Sequence, residues 1–311
     1  MSRDGFSYDP RDTRDVAPRR ALRPRRATSS EATSGRNPQS PALERSATNE
    51  ARDRHSPNDN RGGSARAYYV RDRAHMLRGS ELHSLRETGK FRVIATSDLA
   101  TYAYHGDRDT MEKDIRHLRR EGLLTEKTLP ISQKKTLSVV TLTKAGQRLL
   151  KRTNQLPDDQ AIYHGLRKPR EAKHDADLYR LYQKEAARIE RAGGTPLRVV
   201  LDYELKSNLN RDLALLGADR ENQERKNDIA GKHGLQVVNG KIPVPDLRIE
   251  YETAEHEIRR VDLELATREY RPRALAEKAA AGFSLYSQPQ DAARLRRILD
   301  ERELTSGILT Q

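Results

Sequence analysis

Residues 109–121 read DTMEKDIRHLRRE, and this stretch decides how the first half of the chain is interpreted. Met111, Ile115 and Leu118 recur at spacings of four and three, so they share one face of a helix and would point into a core. The opposite face is rich in cations and consists of Asp109, Lys113, Arg116, His117 and Arg120. The sequence therefore predicts a helix with one apolar side and one basic side.

Short elements flank this helix on both sides. In chain order the sequence predicts a helix from residue 80, a strand over 91–94, helices over 98–104 and 109–121, strands over 123–128 and 136–142, and a helix over 143–150. Helix, strand, helix, helix, hairpin, helix is the order of a winged helix. We therefore expect a winged helix over residues 67–155.

Local signals suggest where these elements begin and end. Ser97 is a candidate N-cap for the second helix, and Gly106 is expected to end it. Asp109 and Glu112 have capping-box spacing and predict the start of the third helix. A turn over 130–132 is expected to join the two strands.

The third helix of a winged helix normally lies in the DNA major groove. Lysine and arginine side chains suit phosphates and guanine edges, and two lysines at the tip of the predicted hairpin would reach the flanking backbone. The predicted DNA-binding residues are Lys113, Arg116, His117, Arg120, Lys134 and Lys135. The alternative is an ordinary solvated helix face, because such faces are usually charged.

Composition agrees with a polyanionic partner. The 311 residues contain 59 Lys and Arg against 46 Asp and Glu, a net charge of +13, and such an excess neutralises phosphates. The chain has no cysteine, which excludes disulfides, thiolate metal sites and thiol catalysis. No apolar stretch is long enough for export or membrane insertion, so we expect a cytoplasmic protein without membrane contact.

The second half of the chain alternates helices and strands differently. It predicts a helix over 174–192, a strand over 197–201, a helical region over 206–232, a hairpin turn at Asn239-Gly240, strands over 246–252 and 257–265, and helices over 273–286 and 291–302. Three acids lie on or beside the paired strands. Asp262 and Glu264 share one face of their strand, and Asp246 comes close to both if the strands form a hairpin.

Three converging carboxylates repel each other unless a cation lies among them. Oxygen ligands of this kind suit Mg²⁺ or Mn²⁺, which could activate water for attack on a phosphodiester. The predicted metal ligands are Asp246, Asp262 and Glu264. The alternative is that acids on the solvated face of a strand are ordinary and that the domain needs no cofactor.

The order helix, strand, Pro-Asp, acid-x-acid strand, helix resembles the PD-(D/E)xK nuclease core. The resemblance implies that Asp246 and Asp262 hold the metal, although Glu264 then occupies the position of the family's catalytic lysine. If Glu264 is taken as the acid instead, Ala266 falls at the lysine position and Lys278 on the next helix is the obvious substitute. The catalytic residues implied are Asp246, Asp262, Glu264 and Lys278.

A winged helix followed by this set of motifs is similar to the replication-relaxation family of plasmid and mobile-element proteins. The motifs are 174–179 (HDADLY), Pro245-Asp246, 263–267 (LELAT) and Lys278. The resemblance implies a DNA-binding role in replication, relaxation or mobilisation, with other replication or transfer proteins as candidate partners and a homodimer as an open option. The alternative is a non-catalytic winged-helix transcriptional regulator or a DNA- or partner-binding adaptor.

The full prediction is an α+β chain in four segments. A disordered arginine-rich tail covers 1–64, the winged helix 67–155, a linker 156–172 and a restriction-endonuclease-like domain 173–311. Other enzyme classes lack their signatures. Tyr68-Tyr69 has no His-hydrophobe-His partner of the tyrosine relaxases, and the chain contains no P-loop and no zinc-ligand spacing.

Overall fold

The computed structural model describes residues 64–70, 73–217, 222–267, 270–300 and 308–310, and these residues form an α+β fold. The predicted disordered tail lies outside the described residues except for residue 64. Within the described part of the chain, no helix combines the length and the apolar character needed to cross a membrane.

The first half contains the element order that the sequence predicts. Its elements are β1 (Arg66–Val70), β2 (Arg73–Leu77), α1 (Gly79–Lys90), β3 (Ile94–Ala95), α2 (Thr96–Ala103), α3 (Arg108–Arg120), β4 (Leu124–Ser132), β5 (Lys135–Leu142) and α4 (Lys144–Arg152). Strands β3, β5 and β4 form a three-stranded antiparallel sheet in that order. The additional antiparallel hairpin β1–β2 precedes it and was not predicted.

Three local predictions are corrected by the structure. Helix α2 begins after Ala95, so Ser97 lies inside the helix and does not cap it. The cap of α3 is Asp107, whose side chain accepts a hydrogen bond from the Thr110 amide, because the helix begins one residue earlier than Asp109. Residues 130–132 belong to β4, which carries a bulge there, and the turn follows them.

The second half is built on a five-stranded mixed sheet. Its elements are α5 (Ala172–Arg191), preceded by a 3₁₀ turn, then β6 (Thr195–Leu201), α6 (Asp202–Ala214), α7 (Gln223–Lys232), β7 (Leu247–Glu252), β8 (Ile258–Ala266), α8 (Pro272–Ala280), β9 (Ser284–Ser287), α9 (Pro289–Asp300) and β10 (Ile308–Thr310). The strand order is β10-β9-β8-β7-β6. The β6–β7 and β7–β8 pairs are antiparallel, and β9 joins β8 in parallel.

Turn residues explain two features of this half. Asn239 and Gly240 both have positive φ, as a type I′ turn requires, and they are flanked by an isolated bridge between Val238 and Lys241 instead of two full strands. Helix α8 is shorter than predicted because Gly282 adopts a φ of +80° and ends it. The next residues then form β9, a largely buried strand in a region where the sequence predicts helix.

Both halves share one hydrophobic core, and α5 lies between them. Tyr179 on α5 packs edge-on against Phe91, with ring centroids 5.1 Å apart, and also against Tyr102. On its other side α5 contacts β6 and β7. Segment 156–172 is bonded to both halves: Gln160 exchanges two hydrogen bonds with Val199, and the Tyr163 amide donates to the carbonyl of Gly89.

Candidate nucleic-acid interface and carboxylate site

Helix α3 presents the basic face that its sequence predicts. Met111, Ile115 and Leu118 are buried, and Leu118 is completely enclosed. Their burial fixes the rotation of the helix, so the opposite side must face solvent. Lys113, Arg116 and Arg120 lie there and are exposed.

His117 is placed differently from its cationic neighbours. Its Nδ1 lies 2.6 Å from a carboxylate oxygen of Glu81, a fully buried side chain on α1. Arg78 contacts the same oxygen at 2.8 Å and reaches Asp114 on α3 at 2.6 Å. His117 is therefore tied to the protein through one ring nitrogen, which leaves the other nitrogen for a ligand.

Burial and the hydrogen bonds from Arg78 and His117 act in opposite directions on the pKa of Glu81. Burial alone would raise its pKa, but the hydrogen bonds from Arg78 and His117 outweigh it, and the pKa is lowered from its ordinary value. Glu81 is therefore an ionised carboxylate beneath the basic face. It neutralises part of that charge and fixes the positions of Arg78 and His117.

The tip of the β4–β5 hairpin carries the two lysines that the sequence predicts. Lys134 lies in the turn and Lys135 is the first residue of β5, and both are exposed. They add positive charge at the end of an antiparallel hairpin that packs against α3.

Asp246 and Glu264 meet at the buried end of the β7–β8 hairpin. The register pairs Leu247 with Leu263, which brings the residue before β7 opposite Glu264. The Asp246 amide donates to Glu264 Oε2 at 3.1 Å, and the Leu265 amide donates to Asp246 Oδ2 at 3.0 Å. Glu264 is fully buried, whereas the Asp246 side chain is 16% exposed.

Lys278 reaches this carboxylate pair from α8. Its Nζ lies 2.8 Å from Glu264 Oε1 and donates to the carbonyl of Val244 at 2.6 Å. The Tyr270 hydroxyl donates to the same Glu264 oxygen. The structure therefore brings together three of the four catalytic candidates of the sequence, namely Asp246, Glu264 and Lys278.

His174, at the start of α5, lies on the solvent side of the pair. Its Nε2 is 3.4 Å from Asp246 Oδ2, and its Nδ1 is 3.8 Å from Asp175. Burial would lower the pKa of His174, but hydrogen bonds and charge from Asp175 and Asp246 raise it to about 10. His174 is therefore a cation at neutral pH.

The two carboxylates differ in their protonation behaviour. Burial, with the neighbouring charge of Asp246, raises the pKa of Glu264 to about 7 against the opposing effect of Lys278. Burial acts the same way on Asp246, but the hydrogen bond and charge of His174 outweigh it and lower its pKa. Two adjacent acids whose pKa values are pushed apart are a common feature of acid–base sites.

Asp262 is engaged elsewhere, in contrast to the predicted convergence of three acids. Both of its oxygens accept hydrogen bonds from Arg248, at 2.6 and 2.8 Å, and Arg248 is only 4% exposed. Arg248 lies directly opposite Asp262 in the strand register and also donates to two backbone carbonyls, those of His233 and Gly234. Asp262 balances a buried guanidinium.

The remaining donor set allows a simpler metal site than the one predicted. Among the described residues, no three His, Asp or Glu side chains are grouped to hold an ion. Mg²⁺, however, is commonly held by one or two carboxylates together with waters and substrate phosphates. Asp246 is the more exposed carboxylate for such a site, whereas Glu264 would have to exchange a contact with Lys278, Tyr270 or the Asp246 amide to join it.

Comparisons with known proteins give little guidance. No family model matches the chain, and no curated protein matches it. A solved structure of Bacillus subtilis PadR in complex with operator DNA is similar at 16% identity and a TM-score of 0.19, over 46% of this chain and 75% of that chain. A likeness this weak assigns neither fold nor function.

Proposed function

We propose that this protein binds duplex DNA through a winged helix, with α3 in the major groove and the β4–β5 hairpin as the wing. The observation that carries the proposal is the exposed basic side of α3, held outward by the burial of Met111, Ile115 and Leu118. Phosphate contacts by lysine and arginine supply most of the affinity of such an interface. The exposed lysines at the hairpin tip, Lys134 and Lys135, would add phosphate contacts from the wing.

Salt dependence tests this proposal directly. Replacing Lys113, Arg116 and Arg120 by alanine should weaken binding to a short duplex of mixed sequence and reduce the slope of log affinity against log salt by about 0.9 for each phosphate that is no longer neutralised. A control variant should remove the same charge elsewhere, from the exposed Lys184, Arg191 and Arg297, and should keep the native slope. Equal behaviour of the two variants would remove α3 from the interface.

The position of Lys278 favours a second activity, the cleavage of DNA in an active site that contains Asp246 and Glu264. The resemblance to PD-(D/E)xK nucleases implies a lysine beside the acid on the strand that follows Pro-Asp. Here Lys278 Nζ lies 2.8 Å from Glu264 Oε1. A divalent ion held by Asp246 and Glu264 would polarise the phosphodiester. If the protein cleaves DNA, the resemblance to the replication-relaxation family would apply to DNA processing on a mobile element as well as to DNA binding.

The chain's own side chains have separate roles in this second proposal. Asp246 is the more exposed acid and faces the phosphate, while Glu264 is buried behind it. The Lys278 ammonium offsets the charge of Glu264, so the pair can remain close together. His174 is protonated and 39% exposed, and it can donate a hydrogen bond to a phosphate oxygen.

Cleavage of supercoiled plasmid with Mg²⁺ or Mn²⁺ tests this activity. Asp246→Asn should abolish nicking, as should EDTA, while affinity for DNA stays native because α3 holds the DNA. Ca²⁺ should support binding without turnover, since it is larger and a poorer Lewis acid at such a site. The control is Glu257→Gln, at the exposed end of the same hairpin. Intact plasmid under every metal would leave a non-catalytic DNA-binding protein.

A further inference from the structure

The hairpin β1–β2 has one face that the core does not use. Strand alternation places Tyr68, Val70, His75 and Leu77 on the inner face, where they pack against the first half. The register pairs Ala67 with Met76 and Tyr69 with Ala74 on the other face. Tyr69 is 60% exposed and Met76 is 51% exposed, which is unusual for two large side chains on one short hairpin.

This outer face borders a basic groove. The groove lies between the hairpin and α3, has a volume of about 420 Å³, and is lined in part by Met76, Arg78, Lys113, Arg116 and Arg120. Among the described residues that line it, the one carboxylate is Glu81, which already contacts Arg78 and His117. An apolar hairpin face therefore continues directly into the cationic side of α3.

We propose that the outer face of β1–β2 is a second contact surface for the DNA duplex bound by α3. The groove shares Lys113, Arg116 and Arg120 with the proposed interface, so DNA on α3 lies beside the hairpin. Tyr69 and Met76 pack on the apolar C–H edges of deoxyribose, and Arg78 binds a phosphate. Tyrosine suits this position because its ring is apolar and its hydroxyl can remain in water or donate to the backbone.

Charge complementarity identifies the partner as DNA. The groove concentrates guanidinium and ammonium groups beside Met76, and the exposed Tyr69 lies on the same face of the hairpin. The sugar–phosphate backbone of DNA offers both charged and apolar surface. Arg78 is 42% exposed, and its contacts with Glu81 and Asp114 hold it in one place. A guanidinium held in advance loses little conformational freedom when it binds a phosphate. This inference rests on the proposed DNA binding by α3.

Removal of the apolar contacts is the first test. Tyr69→Ala with Met76→Ala, in the full-length protein, should weaken binding to a fluorescent duplex of mixed sequence about tenfold, equivalent to roughly 55 Å² of apolar contact. The salt slope should stay native, because every cation that neutralises a phosphate is still present. Ile258→Ala removes an equally exposed side chain from β8 and should change nothing.

The second test looks for tighter binding, a result that misfolding of the variant would not produce. Ala74→Lys places a cation beside Tyr69 and should tighten binding and steepen the salt slope by about 0.9. The same substitution at the exposed Ala293 of α9 should leave the slope unchanged.

The outcomes separate this inference from the proposed function. If the α3 alanine variant weakens binding but both hairpin variants bind as the native protein does, the proposed contact of the hairpin with DNA is wrong and the proposed role of α3 stands. If the α3 variant binds normally, the proposed function fails by itself. Hairpin variants that change affinity as described support the second surface.

Discussion

Asp262 has a structural role as the counter-ion of the buried Arg248, and this role leads to a quantitative prediction for Asp262→Asn. The substitution keeps the size of the side chain and removes its charge, so Arg248 remains as a buried guanidinium without a counter-ion. Breaking a buried ion pair by removing one partner costs about 3–5 kcal/mol of unfolding free energy.

Urea unfolding and thermal melting, both in the presence of EDTA, measure this loss without any contribution from bound metal. At roughly 2–4 °C per kcal/mol, the melting temperature should fall by about 10 °C. Glu257→Gln breaks the exposed pair with Arg259 on the same strand and should leave the melting temperature unchanged. The double variant Arg248→Met with Asp262→Leu should recover more than half of the loss, because it removes the uncompensated charge.

The opposite result would refute this reasoning. If Asp262→Asn unfolds within about 0.5 kcal/mol of the native protein, the range of ordinary surface changes, Arg248 does not need Asp262. If the variant also failed to nick plasmid while remaining as stable as the native protein, Asp262 would belong with Asp246 and Glu264 in a site of three acids.

Three further predictions concern packing and charge. Arg180→Ala removes the bidentate bond between α5 and α2 and should lower stability by about 1 kcal/mol, while circular dichroism and tyrosine fluorescence still report one shared transition. The pKa of Glu81 is lowered in the folded protein, so its contribution to stability is present above its ordinary pKa of 4.5 and is lost as the pH falls through its lowered pKa. The Glu81→Gln variant should therefore lose less unfolding free energy at acid pH than the native protein does, as measured by denaturant titrations. Gly146→Ala would place a Cβ 2.3 Å from a backbone oxygen and should cost about 2–3 kcal/mol, whereas Gly231→Ala, in open space on α7, should add about 0.5–1 kcal/mol, both measured by urea unfolding.

Periodicity predicted helix α3 well because the spacing of apolar residues on a helix follows from which side is buried. The spacing of Met111, Ile115 and Leu118 was sufficient to orient α3, and all three are buried. Caps were less predictable, since Asp107 and Asp109 are both good N-cap residues and the structure uses the first.

The carboxylate site was predicted in part. Asp246 and Glu264 come together because a hairpin closing near residues 252–258 places them opposite each other. The same register places Arg248 across from Asp262, so the sequence already carried the signal for that ion pair. Tyr270 and His174 reach the site from other elements, and their contacts depend on tertiary packing that strand alternation alone does not specify.

Helix α5 links the two candidate sites physically. Its Tyr179 is fully buried against Phe91 of the first half, while its first turn carries His174 beside Asp246 in the second. A change in the tilt of this helix would disturb the shared aromatic core and the carboxylate site together, because packed cores do not deform gradually. Segment 156–172 reinforces the connection, since Gln160 is bonded to β6 and the Tyr163 amide to the end of α1. The elements that carry the basic face of α3 and the acids at the end of β7–β8 therefore pack into one continuous hydrophobic core.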